Sequence, residues 1–463
     1  MFPNVLKWIM PARRSRKKPP RRKVKAAERI SGNTFAPTAD KSASGPRVLI
    51  ADLDGDAGGK VTASLTEMLD RSEAFEIFRA NQPLKQARAG DMVLRLIAAA
   101  AEGHAWMIEQ SADLLVWGEI EMGTAVLRFL PLIPSGDNLP GAVGLGDSLD
   151  LPVDFEASLT PLLRTTVLAA VGPTFRAMRG PVAEALQIGL DETAGVLKEI
   201  PAGMTSGQYA TSLACLGNAC GAAYRLGGGL ARLDQAIAAY RSALKKIVAA
   251  EMPVAWAVTQ SHLAATLKAK GEKSDADETL IEAVAAYKLI TETLSRGTHA
   301  FDWALAQANL GLVYYRLGTR SGRGGYLNEA GKAFEEALTV YKKETMPVRW
   351  GEISNQYGVV LMALGEQVTG NVVLELAVKR FRKALEVRKR EQAPLLWAQT
   401  VNNLGAACFG LAKRNGEVAL MREAITCFEG AVEIYTQSGA TKKAEIIRNN
   451  LSRVERLAQT RGG

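Results

Sequence analysis

The segment VLIADLDGD carries three acidic side chains within five residues, Asp52, Asp54 and Asp56. Carboxylates this close raise one another's pKa or demand a metal ion. Directly after them, GDAGGKVT sets Gly58, Gly59 and Lys60 ahead of a helical pattern, where backbone N–H groups can meet a phosphate. The full phosphate-loop frame fails twice, because only three residues separate Gly55 from Gly59 and Val61 stands where a magnesium-binding hydroxyl belongs. What remains is an anion site at a helix N-terminus. DLDGDAGG is not a calcium loop either, since its turn glycine is displaced and Ala63 occupies the place of the bidentate acid. His104, His262 and His299 form no HExxH or similar pair, and Cys215, Cys220, Cys408 and Cys427 lack paired CxxC spacing. The histidines offer neither zinc chemistry nor a proton relay, and the cysteines read as buried packing residues.

Asp52 and Asp54 at a strand end resemble the first motif of haloacid dehalogenase-like phosphatases, which would make one the nucleophile and the other the general acid. Asp56 departs from the Thr or Val usual in that motif, and the later lysine and metal-binding acids of the family have no recognisable counterparts here. A polar strand-to-helix turn is the plainer reading. A phosphatase-like or nucleotide-binding enzyme at Asp52 and Asp54 is the alternative to it, and no cofactor is implied.

Composition narrows the remaining classes. The chain has 463 residues, 47% of them hydrophobic and 23% charged, which is the balance of a folded chain with a sizeable core. Its net charge of +9 is concentrated at one end. Residues 1–30 hold 11 Lys and Arg against the single acid Glu28, so the rest of the chain is close to neutral. A basic surface for gripping nucleic acid over the folded part is thereby excluded. No apolar run is long enough to span a bilayer. The short apolar start MFPNVLKWIM precedes the basic run, the reverse of a secretory signal. With few cysteines and no disulfide framework, the expectation is a cytoplasmic protein, with a peripheral place at the inner face of the membrane as an option.

Four stretches follow one another. Residues 1–45 include PARRSRKKPPRRKVK, whose basic and proline-rich composition cannot bury a core and predicts a disordered arm. Residues 46–154 read as a small α/β domain: RVLIADLD a buried strand, VTASLTEMLDRS a helix, AFEIFRA a strand, Met92–Gln110 a helix, then DLLVWGEIE and TAVLRFLPL a hairpin. Residues 155–205 are a helical connector. Residues 206–463 repeat.

Trp256, Trp303, Trp350 and Trp397 recur at intervals of 47 residues, with Tyr209 and Ala444 in register on either side. With each of these residues as offset 0, offset 7 holds Leu216, Leu263, Leu310, Tyr357, Leu404 and Leu451, and offset 8 is always small. Offset 27 is alanine in five successive units, and offset 31 holds Tyr240, Tyr287, Phe334, Phe381 and Phe428. These are helical spacings, so each unit reads as two amphipathic helices. The small residues let the pair approach and the aromatic fills the space beside them. Loops such as TRSGRGG, between Leu317 and Tyr326, are expected to separate the two helices.

Leu followed by a small residue, then Ala, an aromatic four later and Ala three after that resembles the tetratricopeptide repeat (TPR). The likeness covers residues 206–457, five units and a closing helix, and departs from the family in the longer unit. It implies a mainly α, right-handed helical solenoid preceded by the α/β domain and the arm. ADLLVWGEIE, with the elements before it, resembles the small TolB-like α/β domain found beside such arrays.

The TPR likeness implies a non-catalytic protein–protein interaction scaffold that takes a peptide or partner segment in its concave groove. On the first helix of each unit, offset 6 holds His262, Asn309, Gln356, Asn403 and Asn450, and offset 5 holds Asn355, Asn402 and Asn449. An amide there can donate to a carbonyl and accept from an N–H of an extended peptide. The alternative is that these amides solvate the inner face. For the arm, contact with an anionic membrane through Trp8, Arg13, Arg14, Arg16, Lys17, Lys18, Arg21, Arg22 and Lys23 competes with a merely solvated arm and with nucleic-acid binding. Trp8 and the apolar tip favour the membrane over nucleic acid.

Overall fold

The structure is a computed structural model and describes residues 45–71, 74–87, 91–171 and 179–462. The arm, with Trp8 and the cations from Arg13 to Lys23, lies outside the described residues. The packing falls into two compact units, 45–313 and 314–462.

The first unit opens with a five-stranded sheet. Its elements are β1 (Arg47–Asp52), α1 (Lys60–Asp70), β2 (Glu76–Pro83), α2 (Met92–Gln110), β3 (Leu114–Glu121), β4 (Thr124–Pro131) and β5 (Leu149–Pro152). The strand order is β2-β1-β3-β4-β5. β1 runs parallel to both β2 and β3, and the rest of the sheet is antiparallel. A strand flanked on both sides and covered on both faces must be apolar throughout, and Val48, Leu49, Ile50 and Ala51 of β1 are all buried. Leu49, Ala51, Leu115, Trp117 and Leu130 form one core with α2. α3 (Thr160–Val171) packs on α1, β3 and β4, and also against α4 (Arg179–Val196) and α5 (Ser206–Arg225). β5 is the one strand the sequence pattern passes over, being only four residues long.

From α5 onward the chain is a TPR-like succession of helix pairs, which makes it mainly α. The pairs are α5 with α6 (Leu230–Leu244), α7 (Pro253–Ser274) with α8 (Asp277–Thr293), α9 (Ala300–Ser321) with α10 (Gly324–Val340), α11 (Pro347–Gln367) with α12 (Val372–Leu385), and α13 (Pro394–Asn415) with α14 (Val418–Gln437); α15 (Thr441–Gly462) follows. The division between the two units falls within α9.

The repeated positions perform the packing expected of them. A Cβ on Gly217 would lie 2.5 Å from Tyr240 Cε1, one on Gly358 2.6 Å from Phe381 Cε1, and one on Gly405 3.1 Å from Phe428 Cε1. The small residue at offset 8 is therefore the seat of the aromatic ring at offset 31. The offset 27 alanines Ala236, Ala283, Ala330, Ala377 and Ala424 are fully buried. Pro253, Pro347 and Pro394 open their helices at the first turn, where a missing N–H costs nothing.

The longer unit is spent on helix rather than loop, which corrects the reading of TRSGRGG. α9 continues through Ser321 and α10 begins at Gly324. Thr319 and Ser321 donate back to the carbonyls of Tyr315 and Leu317 inside the helix, and Gly322 at φ 67° ends it.

Candidate partner-binding site

In the first unit, the first helices of two successive pairs hold a stretch of this same chain, residues 135–148 between β4 and β5, which runs as successive turns. Three side chains clamp it. Asn218 of α5 donates to Asp147 Oδ1 at 3.1 Å, and His262 Nε2 of α7 lies 2.8 Å from the same oxygen. Arg225 of α5 donates to the Gly141 carbonyl at 2.9 Å and to the Ser135 hydroxyl at 2.7 Å. Gly141, at φ 63°, lies against the backbone of α5 at Asn218, Gly221 and Ala222, where no side chain would fit. Gly221 is the glycine that admits it. The Gly144 N–H donates to the second oxygen of Asp147 at 2.7 Å, so the carboxylate is fully engaged.

The Asp147–His262 pair is buried, with both side chains 8% exposed. Burial works against charge on both groups. For His262 the Asp147 carboxylate and its hydrogen bond outweigh burial, and the pKa stands above the ordinary histidine value. For Asp147 burial is outweighed by His262, the Gly144 N–H and the Asn218 amide, and the pKa stands below the carboxylate range. Tyr240 stacks on the imidazole at 5.8 Å between ring centres and donates to Asn218 Oδ1 at 2.8 Å. Burial pulls the Arg225 guanidinium down to about 10.

The structure thus places His262, one of the expected partner contacts, under the chain's own Asp147. Asn309 is buried on α9, and its Nδ2 has no hydrogen-bond partner among the described residues. In the second unit three of the expected amides come together. Asn403 Nδ2 donates to Asn355 Oδ1 at 3.2 Å, and Asn402 Nδ2 to Asn403 Oδ1 at 3.5 Å. The chain of amides ends on Asn402 Oδ1, which has no hydrogen-bond partner among the described residues. Asn355 is buried, whereas Gln356, Asn402 and Asn403 are half-exposed on α11 and α13. Asn450 is half-exposed and Asn449 exposed on α15.

The acids at the first strand serve local structure. Asp56 accepts from the N–H groups of Val61 at 3.3 Å and Thr62 at 2.8 Å and from the Thr62 hydroxyl at 2.7 Å. Burial alone would raise its pKa, but these hydrogen bonds hold it below the usual carboxylate value. The opening N–H groups of α1 are thereby satisfied from within, in place of an external anion. Asp52 pairs with Arg79 at 2.6 Å. Asp54 exchanges backbone hydrogen bonds with Gly118 and Ile120, extending the sheet past its strand. No group of three or more His, Cys, Asp or Glu among the described residues is placed to hold a metal ion. The four cysteines are buried. Burial raises all four thiols, Cys220 to about 11 and Cys427 to about 12, which is the reverse of a reactive thiolate.

Sequence reasoning missed the clamp and one further regularity. Asn218 breaks the repeat, since offset 9 in the next four units is Ala265, Leu312, Val359 and Ala406, and that departure was its signal; Arg225 stands at offset 16, which is polar in those units as well and gives none. Arg296, Lys343 and Arg390 each stand seven residues before a repeat tryptophan and lie over its ring, at 5.3, 6.0 and 5.3 Å from the centre of Trp303, Trp350 and Trp397. The tryptophans are thus covered from within their own fold.

No protein-family model and no curated protein matches the chain. Among solved structures it is similar to a Rap protein complexed with Competence and Sporulation Factor, at 13% identity and TM-score 0.30 over 66% of this chain and 77% of that one. It is similar to the Rap conjugation gene regulator of the plasmid pLS20 in complex with the Phr* peptide, at 14% identity and TM-score 0.32 over 67% and 78%. The apo form of RapI is matched at 13% identity and TM-score 0.32 over 62% and 94%. No helix among the described residues is long and apolar enough to cross a membrane.

Proposed function

We propose that this chain is a non-catalytic interaction scaffold whose first helices bind an extended peptide segment of a partner protein. The observation that carries the reading is residues 135–148. They are a glycine-rich run of turns held on α5 and α7 by Asn218, Arg225 and His262, of which His262 stands at offset 6, the offset that carries Gln356 and Asn403 on later first helices. On α11 and α13 the corresponding line carries Gln356, Asn402 and Asn403, half-exposed amides able to donate and accept. A segment lying there meets hydrogen-bond donors and acceptors rather than charge, so backbone groups are what it is read by. Asp56 caps α1 and Asp52 pairs with Arg79, which supports a role without catalysis.

A peptide library displayed against the full chain tests this, with affinity for a selected peptide measured by calorimetry. Replacing Asn402 and Asn403 together by Ala should weaken binding by about 1–3 kcal/mol, at ~0.5–1.5 per hydrogen bond, and leave the melting temperature near that of the wild type. Unchanged affinity in the folded double variant would move the site off the first helices.

A further inference from the structure

Four polar atoms of the sheet domain are buried without a hydrogen-bond partner among the described residues: Arg128 Nε on β4, Arg95 Nε on α2, Asp150 Oδ1 on β5 and Gln86 Oε1 in the segment between β2 and α2. Arg128 is the centre of the group. It is 6% exposed, and its guanidinium makes no hydrogen bond and no ion pair among the described residues. Glu119, Asp150, Asp147 and Arg95 all act on it through space.

The strand register explains the convergence. Arg128 stands opposite Trp117 in the β3–β4 ladder, and Val126, two residues away, stands opposite both Glu119 and Asp150. Residues two apart on a strand share a face. Arg128, Glu119 and Asp150 therefore stand on the face that Trp117 presents to α2, beyond the apolar core that Trp117 forms with Leu96 and Leu130. Gln86 joins them by donating Nε2 to Glu119. Glu119 is near the carboxyl end of β3, the end at which open α/β sheets take their ligands.

A buried guanidinium without a partner is strongly destabilising, and so is a buried carboxylate oxygen with none. Both signs are present, unpaired with each other. A simple anion drawn to Arg128 would meet the carboxylates of Glu119 and Asp150, and a simple cation drawn to those would meet Arg128. A ligand with both charges satisfies the set at once. We propose that Arg128, Arg95, Glu119, Asp150 and Gln86 form a binding site for a small zwitterion, an α-amino acid. Its carboxylate would lie against the planar fork of Arg128, which suits two parallel hydrogen bonds. Its ammonium would lie toward Glu119, Asp150 Oδ1 and Gln86 Oε1, which are all acceptors. Burial holds the Asp150 carboxyl above its ordinary pKa against the Ser148 hydrogen bond and the Arg128 charge, while its Oδ1 has no hydrogen-bond partner among the described residues. This site is independent of the peptide-binding line.

Thermal melting of the full chain with each protein L-amino acid, and separately with acetate and with methylamine, reads the site. At least one amino acid should raise the melting temperature saturably, and neither half-ligand should match it. Arg128→Met should lose that rise and Arg128→Lys should reduce it. Asp150→Asn, which keeps the side-chain shape, should weaken calorimetric affinity for the same amino acid about tenfold or more. No stabilisation of the wild-type chain by any amino acid would overturn the proposal, as would a rise that survives Arg128→Met or is matched by acetate alone.

Discussion

The helix pairs from α5 to α8 and those from α11 to α14 share one packing scheme and differ in what their first helices carry. On α5 and α7 the line is charged and filled: Asn218, Arg225 and His262 hold the chain's own residues 135–148 around a buried Asp147 carboxylate. On α11 and α13 the residues at offsets 5 and 6 are neutral amides, half-exposed at Gln356, Asn402 and Asn403, that bond one another and leave a buried Asn402 Oδ1 without a partner among the described residues. In both regions the same small residue at offset 8 seats the same aromatic at offset 31. The fold is thus carried by offsets 8, 27 and 31. On α5 and α7 the residues that hold 135–148 stand at other offsets, 6, 9 and 16.

The largest break in the comparison comes from emptying the filled end. Asp147→Ala leaves the His262 imidazole buried without its partner and should cost about 3–5 kcal/mol in urea denaturation. The dependence on pH has a definite sign. His262 is held above its ordinary pKa, so its contribution is complete below that ordinary value and is lost as pH rises through the folded-state pKa. Asp147 is held below its ordinary pKa, so its contribution is complete above that ordinary value and is lost only as pH falls through the folded-state pKa. The stability gap between the wild type and Asp147→Asn should be widest between about pH 4 and 6.5 and narrow toward alkaline pH. A gap that does not change across the range would show that the pair is not ionised.

Overpacking the shared scheme should act with less force and in the same way at neighbouring units. Ala330→Leu and Ala377→Leu fill positions with no accessible surface and should each cost about 1–3 kcal/mol. Neutral behaviour at both would detach offset 27 from close helix packing. The smallest effect belongs to the cations over the tryptophans: Arg390→Ala should cost about 0.5–1 kcal/mol, as an exposed cation–π contact does. A loss as large as that at Ala377 would mean that the side chain has a structural part beyond covering Trp397 and pairing with Glu433.

What the sequence makes legible follows from how many times it says it. Trp303, Gly358 and Phe381 repeat a rule stated in every unit, so the helix pairs and their contacts are readable before any coordinates. The helix boundaries are less so: Gly322, Gly324 and Gly325 suggest a loop, yet Thr319 and Ser321 bond back into α9 and carry the helix to its two-residue turn. β5 is too short to show a period and is fixed by pairing with β4 instead. Asp147 is illegible for a different reason. Its partners are 71 and 115 residues away, and no local pattern announces a contact made once.

The central claim is that a partner segment lies along the first helices, and site-specific photo-crosslinking tests it most directly. A photoreactive residue at Gln356, half-exposed on α11, is compared with one at Glu429, exposed on α14. With a library-selected peptide the expected result is an adduct at position 356 and none at 429. An adduct at 429 with none at 356 would contradict the account.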